Sequence, residues 1–350
     1  MESINTKCGN DDDVAAALGK KNHSNSNKDV HQQRESKEKK DFSSHDVKPI
    51  PYNDDPDLPL YTFDQIPEHL ADNRYIISGY RVNYTTHMCL RSIFSLHNET
   101  FNIWTHLIGY VIFIVVIFFF FAVVLIPSLW ETQQQEKNSS TPEASVTNWV
   151  TVLILSAFSF GCLMCMFCST LFHTFIPHEN MVLYEWAHSL DYFGITFLVV
   201  GSFLPFCYFS FSCEPFWRWT YLTMISLFGV GGVLGPFFRQ WTQQQYAKRK
   251  ILFYVCMVGS GFFPIIHMYV LIPGNVASSY VEGLLLMMTL YGVGVVVYVF
   301  QIPEFFFPGQ FDIFFSSHQI WHVFVLAAAF VHFFNCISMY VNFRRMDLSC

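Results

Sequence analysis

Charged residues are scarce in this chain. They make up 13% of its 350 residues, against 52% hydrophobic and 18% aromatic residues. Soluble domains usually carry about 25% charged residues, so the composition excludes an ordinary soluble globular domain. Much of the charge lies at one end, since residues 1–60 hold 9 Lys/Arg and 12 Asp/Glu, a net of 9 − 12 = −3. A basic patch suited to nucleic acid is also missing, and we expect no nucleic-acid partner.

Targeting signals are lacking as well. Met1–Gly19 has no long apolar core of the kind that a signal peptide needs, so we expect the first membrane span to act as its own insertion signal. The chain ends Asp347-Leu348-Ser349-Cys350, which is neither a prenylation box nor a KDEL-type address. Internal repeats and a line of intramembrane charges are absent too, which disfavours a transporter or channel.

What the sequence does contain is a series of long apolar segments. Each approaches the ~20 residues that a helix needs to cross a bilayer. They predict an all-α membrane protein, a seven-transmembrane helical bundle, with spans at Asn102–Ile126, Asn148–Phe172, Leu190–Phe211, Thr220–Phe238, Ile251–Ile272, Ser279–Phe300 and Ser316–Val341. Pro205 and Pro264 fall inside spans and should kink them.

Four regions follow from this pattern. Residues 1–59 are polar and should form a disordered cytosolic tail. Residues 60–101 form a juxtamembrane segment, in which Met88–Leu96 reads as an amphipathic helix lying in the headgroup layer, or else simply as the start of the first span. Residues 102–341 are the seven-helix membrane domain, and residues 342–350 are a short C-terminal tail.

Lys/Arg counts indicate the orientation. With a cytosolic N-terminus, the cytosolic flanks hold six Lys/Arg and the opposite flanks hold four, which favours N-inside and C-outside. The connection between the first two spans then lies in the lumen, and the glycosylation sequon at Asn138 agrees with that. The C-terminus is accordingly expected to be lumenal or extracellular.

Small residues inside the spans indicate packing. Gly231 and Gly235 have the spacing that allows close helix contact, favoured within the bundle, with contact between protomers of a homo-oligomer as the alternative. Cys162, Cys165 and Cys168 lie in mid-span, where apolar filler is the more common role than metal binding. A disulfide between Cys207 and Cys213, which flank the end of one span, is left open.

A pair of histidines opens the last apolar segment. His318 and His322 lie one helical turn apart on one face, where two imidazoles can hold one metal ion. Hydrogen bonding to backbone at a helix start is the plainer interpretation, although a polar pair at the mouth of a membrane helix needs partners. The alternation of the spans places the end of span two, with Ser169 and His173, on the same membrane face. The start of span three, with Asp191, also lies there.

These side chains predict a metal centre. Three histidines, His173, His318 and His322, with an open fourth position are the arrangement typical of catalytic zinc. A fourth ligand from Asp191 would fill that position, so this carboxylate fits better as an acceptor beside the site or as the base for a bound water. Ser169 lies one turn before His173 and could hydrogen-bond the water or a substrate. The start of span one adds Glu99, Asn102 and His106 on the same face.

The motifs around this centre resemble the progestin and adipoQ receptor family over about Leu60 to Tyr340. The resemblance rests on their combination: Asn98-Glu99-Thr100-Phe101-Asn102-Ile103-Trp104-Thr105-His106, Ser169-xxx-His173, Leu190-Asp191-Tyr192-Phe193-Gly194, Ile302-Pro303-Glu304-Phe305-Phe306-Phe307-Pro308-Gly309 and Ser317-His318-Gln319-Ile320-Trp321-His322. It implies a seven-helix bundle with a cytosolic N-terminus and Zn2+ on the three histidines, with Asp191 and Ser169 beside it.

Within the family, the Asp72–Ile76 and Gly79–Arg81 stretches most resemble the third-member branch, with the adiponectin receptors next. That branch implies a Golgi-membrane regulator that sequesters a Raf-type kinase, with the plasma membrane as the alternative location. The long N-terminal tail departs from the branch, and no partner-binding motif carries over there. The family resemblance also supports a second function, a zinc-dependent ceramidase-type amide hydrolase, with membrane lipids such as ceramide or free fatty acid as partners.

Overall fold

Helices make up nearly all of the computed structural model, which describes residues 57–136, 143–238, 241, 246–271 and 274–345. Most of the predicted tail at 1–59, most of the C-terminal tail at 342–350 and the sequon at Asn138 lie outside the described residues. The long helices of the described part all fall on the predicted apolar segments.

Ten α-helices follow one another in the described part of the chain. We number them α1 Thr86–Ser92, α2 Thr100–Phe119, α3 Ile126–Glu136, α4 Glu143–Phe175, α5 Met181–Ser210, α6 Pro215–Leu234, α7 Ala247–Gly259, α8 Phe262–Leu271, α9 Gly274–Val299 and α10 Ser317–Arg345. A π-helical turn, Phe120–Leu125, joins α2 to α3. A two-stranded antiparallel sheet precedes them, with β1 Leu60–Tyr61 paired to β2 Tyr80–Arg81.

Six stretches of the described helices are long and apolar enough to cross a membrane. They are Thr100–Glu131, Trp149–Phe175, Met181–Ser210, Lys248–Leu271, Tyr280–Val299 and Ser317–Arg344. The fourth predicted span corresponds to α6, which is present but is not among the six. Its first turn carries Trp217, Arg218 and Trp219, which lower its mean hydropathy. The chain is therefore a multi-pass helical membrane protein.

The predicted kink at Pro264 is a break between α7 and α8. Ser260 and Gly261 leave the helix there, and Ser260 lies four residues before Pro264. The break is expected at this place because a proline ring clashes with the carbonyl four residues earlier and has no N–H to donate. At Pro205 the helix α5 runs through without interruption.

The juxtamembrane segment packs differently from the prediction. Leu58, Tyr84 and Cys89 form a small buried cluster of their own. The helix there is α1, which ends at Ser92 instead of Leu96, while Phe94 is 82% exposed. An amphipathic helix over Met88–Leu96 would place Ser92 with Arg91 and Ser95 on its polar, exposed face. Ser92 is instead buried, and its hydroxyl accepts a hydrogen bond from the buried Arg81 guanidinium at 2.6 Å.

The backbones of α4 and α5 approach each other closely at glycines. A Cβ on Gly161 would lie 2.5 Å from the Phe197 carbonyl oxygen, and one on Gly194 would lie 2.8 Å from Cys165 Cα. No side chain fits into such gaps, so these two helices form the tightest pair in the described bundle. Their contact sets Ser169 on α4 against Asp191 on α5.

The other small residues also have definite surroundings. Gly231 and Gly235 face the rings of Phe253 and Trp241 of the same chain, as the inside-bundle alternative expects. Cys162 and Cys165 are buried in the main hydrophobic core. Cys207 is a free buried thiol, whereas Cys213 is disulfide-bonded, so the bridge left open between these two cysteines is not formed.

Candidate metal centre

Three histidines converge where the end of α4 meets the start of α10. His173 comes from the last turn of α4, and His318 and His322 come from the first turns of α10. One ring nitrogen of each lies within 4.8 Å of the others, and the ring centroids of His173 are 5.1 Å from His318 and 4.7 Å from His322. Among the described residues this is the one group of three or more His, Cys, Asp or Glu so placed. Asp191 is not part of it.

The hydrogen bonding of His173 fits a metal ligand. Its Nδ1 lies 2.8 Å from Glu99 Oε2, and a carboxylate only accepts, so Nδ1 carries the proton. Its Nε2 then presents a lone pair, and this atom is buried without a partner among the described residues. Metal-binding histidines commonly use this arrangement, with the second ring nitrogen held by a carboxylate. His322 Nδ1 is likewise buried without a partner there.

Glu99 is held in place for this role. Its Oε2 also accepts a hydrogen bond from Asn102 Nδ2 at 2.6 Å. Burial alone would raise the pKa of the Glu99 carboxyl, but the hydrogen bond from His173, the electrostatic interaction with the His173 and His318 imidazoles and the hydrogen bond from Asn102 hold that pKa well below its usual range. The carboxyl therefore stays ionised at neutral pH.

A buried arginine holds the end of α4. Arg81 Nη2 donates to the His173 carbonyl at 2.7 Å, and Nη1 lies 3.4 Å from the Thr174 carbonyl. Carbonyls in the last turn of a helix lack partners inside the helix and carry partial negative charge, so a cation suits them. Burial lowers the pKa of Arg81 to about 10, which leaves it charged at neutral pH. The β2 strand thus fixes the backbone of a histidine in the cluster.

A buried glutamate holds the start of α10. Glu304 is fully buried, and its Oε2 accepts from the Ser317 backbone N–H at 2.8 Å while Oε1 accepts from Asn73 Nδ2 at 2.9 Å. Its Oε1 also accepts from the Ser317 hydroxyl. Free N–H groups at a helix start carry partial positive charge, which a carboxylate satisfies. This contact fixes the turn that bears His318.

Asp191 and Ser169 lie near His173. The Ser169 hydroxyl donates a hydrogen bond to the Asp191 carboxylate, which also interacts electrostatically with the His173 imidazole. Ser169 is 2% exposed. The pair therefore offers a fixed carboxylate acceptor beside the three histidines without belonging to their cluster.

A polar cleft lined by residues of the juxtamembrane segment leads to the centre. His173, His318, Glu99 and Asn102 lie at its inner end, and Asp72 and Arg81 line its walls. Water and small polar groups can therefore reach the histidines from outside the bundle.

The roles of Glu99, Arg81 and Glu304 are not predicted by the sequence analysis. For Glu99 the sequence does contain a signal, because this carboxylate shares a face with Asn102 and His106 at the start of the first span.

Comparison with known proteins places this fold and site in a class. The haemolysin-III-related family model matches residues 94–333. The progestin and adipoQ receptor-like protein 1 of Caenorhabditis elegans is 35% identical over 292 residues, covering 82% of this chain and 62% of the relative. Human progestin and adipoQ receptor family member 3 is 30% identical over 299 residues, 83% of this chain and 88% of the relative. Heptahelical transmembrane protein 1 of Arabidopsis thaliana is 32% identical over 275 residues, 78% and 79% respectively.

The chain is thus a multi-pass helical membrane protein of the haemolysin-III-related class. Within that class it belongs to the progestin and adipoQ receptor family, which confirms the family resemblance of its motifs. It is a receptor-like membrane protein by that membership. It spans less than two thirds of the length of the C. elegans relative.

The Glu304 contact generates a stability prediction. Glu304→Ala leaves the Ser317 N–H, the Ser317 hydroxyl and Asn73 without their acceptor, and each buried unpaired group costs about 1–3 kcal/mol. We expect a clearly lower midpoint of thermal unfolding for purified protein in detergent. Glu304→Gln keeps the shape and one acceptor oxygen, so its loss should be smaller. Equal unfolding midpoints for Glu304→Ala and wild type would contradict the contact.

Proposed function

We propose that His173, His318 and His322 bind a zinc ion and that the centre hydrolyses a lipid amide, with ceramide as the model substrate. The convergence of the three histidines carries the proposal, together with the buried His173 Nε2 and His322 Nδ1, which have no hydrogen-bond partner among the described residues. Three histidines with an open fourth coordination position are a ligand set typical of zinc. When bound, zinc polarises a carbonyl and lowers the pKa of a water molecule to about 7.

The chain's own residues supply the rest of the chemistry. Asp191 accepts a proton from the attacking water and returns it to the leaving amine, because its carboxylate lies near His173 and outside the ligand set. The Ser169 hydroxyl donates to the Asp191 carboxylate before the reaction. Once Asp191 holds the proton, that hydroxyl can donate to the carbonyl oxygen as negative charge develops there. Glu99 and Arg81 keep His173 in place through its Nδ1 proton and its carbonyl. The cleft from the juxtamembrane side admits water.

A receptor-like regulator is the second candidate function. Progestin and adipoQ receptor family member 3 aligns over 88% of its own length, and the resemblance to that branch implies Golgi residence and sequestration of a Raf-type kinase. Zinc would then clamp the end of α4 to the start of α10, and structural zinc can contribute several kcal/mol or more. The same ligands serve both functions.

We further propose seven membrane crossings, with α6 as the remaining span, and a cytosolic N-terminus. Relatives named heptahelical transmembrane proteins support the count. The disulfide at Cys213 supports the orientation, because disulfides persist in oxidising compartments and Cys213 lies between α5 and α6, on the side away from the metal centre. The metal centre would then lie on the cytosolic side of a Golgi or plasma membrane.

Removing one ligand should release the metal. We expect His318→Ala to lower the zinc content of purified protein well below one ion per chain, because two histidines hold zinc much more weakly than three. The measurement is metal analysis after dialysis against a weak chelator. His267→Ala serves as the control, since His267 bonds Tyr221 at the other end of the bundle. Zinc content equal to wild type in His318→Ala would refute the ligand set.

Replacing the proposed base should separate the two functions. Wild type should hydrolyse short- and long-chain ceramides, and Asp191→Asn should lose this activity by at least about 100-fold while keeping its zinc, because a general base contributes about 10²–10⁴-fold. Turnover is followed by released fatty acid. No turnover in wild type with zinc bound would reject the hydrolase and leave the regulator, for which binding of the cytosolic segments to a Raf-type kinase is the next measurement.

The orientation has a direct test. A short tag at the N-terminus should be digested by protease added to sealed vesicles whose cytosolic face is outward, because the N-terminus is proposed to be cytosolic. A tag at the C-terminus of the same chain should resist until detergent opens the vesicles. The reverse pattern of protection would overturn the proposed orientation.

A further inference from the structure

One face of the first membrane helix lies against the three-histidine cluster and is not used by the proposed chemistry. Asn102 and His106 lie four residues apart on α2, on the same face as Glu99. Each is 3% exposed. A polar amide and an imidazole buried side by side in a membrane helix point to a polar group that they receive.

The orientation of the Asn102 amide is determined by its neighbour. Its Nδ2 donates to Glu99 Oε2 at 2.6 Å, and a carboxylate cannot donate in return. The carbonyl oxygen of the Asn102 side chain is therefore the atom that does not contact Glu99. It is buried and has no hydrogen-bond partner among the described residues. Asn102 also lines the cleft beside His173 and His318, so a donor bound to this oxygen would lie next to the metal ligands.

The ring of His106 is fixed by stacking. It lies parallel to the ring of His322, with centroids 3.9 Å apart and an interplanar angle of 14°. Both of its ring nitrogens are buried without partners in the described part of the chain. A neutral imidazole offers one donor and one acceptor. Other polar groups of α2 are satisfied, as Thr105 shows by donating to the Phe101 carbonyl at 2.6 Å.

The two residues together present two acceptors and one donor beside the metal ligands. Native proteins rarely leave such buried atoms unpaired, so a group from outside the chain is needed. A hydrocarbon chain cannot supply it, and a carboxylate offers acceptors only. A head that carries hydroxyl and amide N–H groups supplies both donors and acceptors.

We propose that Asn102 and His106 form a subsite that recognises the hydroxyl-bearing head of a lipid amide, that is, an N-acyl amino alcohol. This rests on the proposed hydrolase function for the placement of the scissile amide. Asn102 accepts from a hydroxyl of the head, and His106 exchanges one donor and one acceptor with a hydroxyl. The pair determines specificity, because a site built to bond a hydroxyl discriminates against a ligand that lacks it.

Binding to two matched lipids tests the subsite. The probes are a ceramide and an N-alkyl fatty amide of the same chain lengths without hydroxyls. Affinities are measured on zinc-loaded, full-length protein in detergent by displacement of a fluorescent ceramide. The Asp191→Asn background prevents turnover during the measurement. We expect the ceramide to bind at least about tenfold more tightly than the alkyl amide, which is the ratio for one good hydrogen bond.

A variant of His106 should remove this preference. His106→Phe keeps a ring to stack on His322 but has no ring nitrogens. It should weaken ceramide binding about tenfold and leave the alkyl amide unchanged, with zinc content equal to the parent. His267→Phe, at the far end of the bundle, should keep the preference. His106→Gln should restore part of it if the far ring nitrogen makes the contact.

The outcomes separate this proposal from the hydrolase. Equal binding of the two lipids by the parent overturns the subsite, whether or not wild type turns over ceramide. An equal loss for both lipids in His106→Phe also overturns it, because that result indicates a structural role. A preference that disappears in His106→Phe, in a protein whose wild type shows no turnover, supports the subsite while rejecting the hydrolase.

Discussion

The candidate centre depends on two helix ends that meet inside an apolar bundle. The last carbonyls of α4 and the first N–H groups of α10 have no partners in their own helices. Arg81 satisfies the carbonyls of His173 and Thr174, and Glu304 satisfies the N–H of Ser317. Because both charges are buried and opposite in sign to the helix ends they contact, each helix end has one stable position. The three histidines lie on these two helix ends, so their backbone positions are fixed as well.

This dependence gives the juxtamembrane segment a function in the site. Arg81 belongs to β2, and Asn73, which bonds Glu304, belongs to the loop before it. The same loop bonds Asp312 through the Ile77 N–H at 2.9 Å. Residues outside the membrane spans therefore hold both ligand-bearing helices. A short segment outside the spans is consequently part of the support of the candidate metal centre and not only a connection to the N-terminal tail.

The sequence predicts the helices and the convergence of the three histidines well, because both follow from short-range patterns. Apolar runs locate the helices, and the spacing of His318 and His322 puts them on one face without knowledge of the fold. The alternation of spans brings His173 to the same side. The supports could not be predicted in this way. Glu99 bonds His173 across 74 residues, and Asn73 bonds Glu304 across 231, so only the packed bundle brings them together. The extent of α1 was wrong for the same reason, since Ser92 faces inward to meet Arg81.

Charge balance accounts for the two acidic groups at the centre. Three neutral histidines bring no charge, so a divalent zinc ion would carry two positive charges into a region of low dielectric constant, where unpaired charge is costly. Glu99 and Asp191 bring two negative charges close to the same point, one through the Nδ1 proton of His173 and one beside Ser169. These three charges sum to 2 − 2 = 0, and the buried Arg81 guanidinium adds one positive charge that is held on the carbonyls at the end of α4. The arrangement of acids around the histidines thus favours a divalent cation for an electrostatic reason that is independent of ligand geometry.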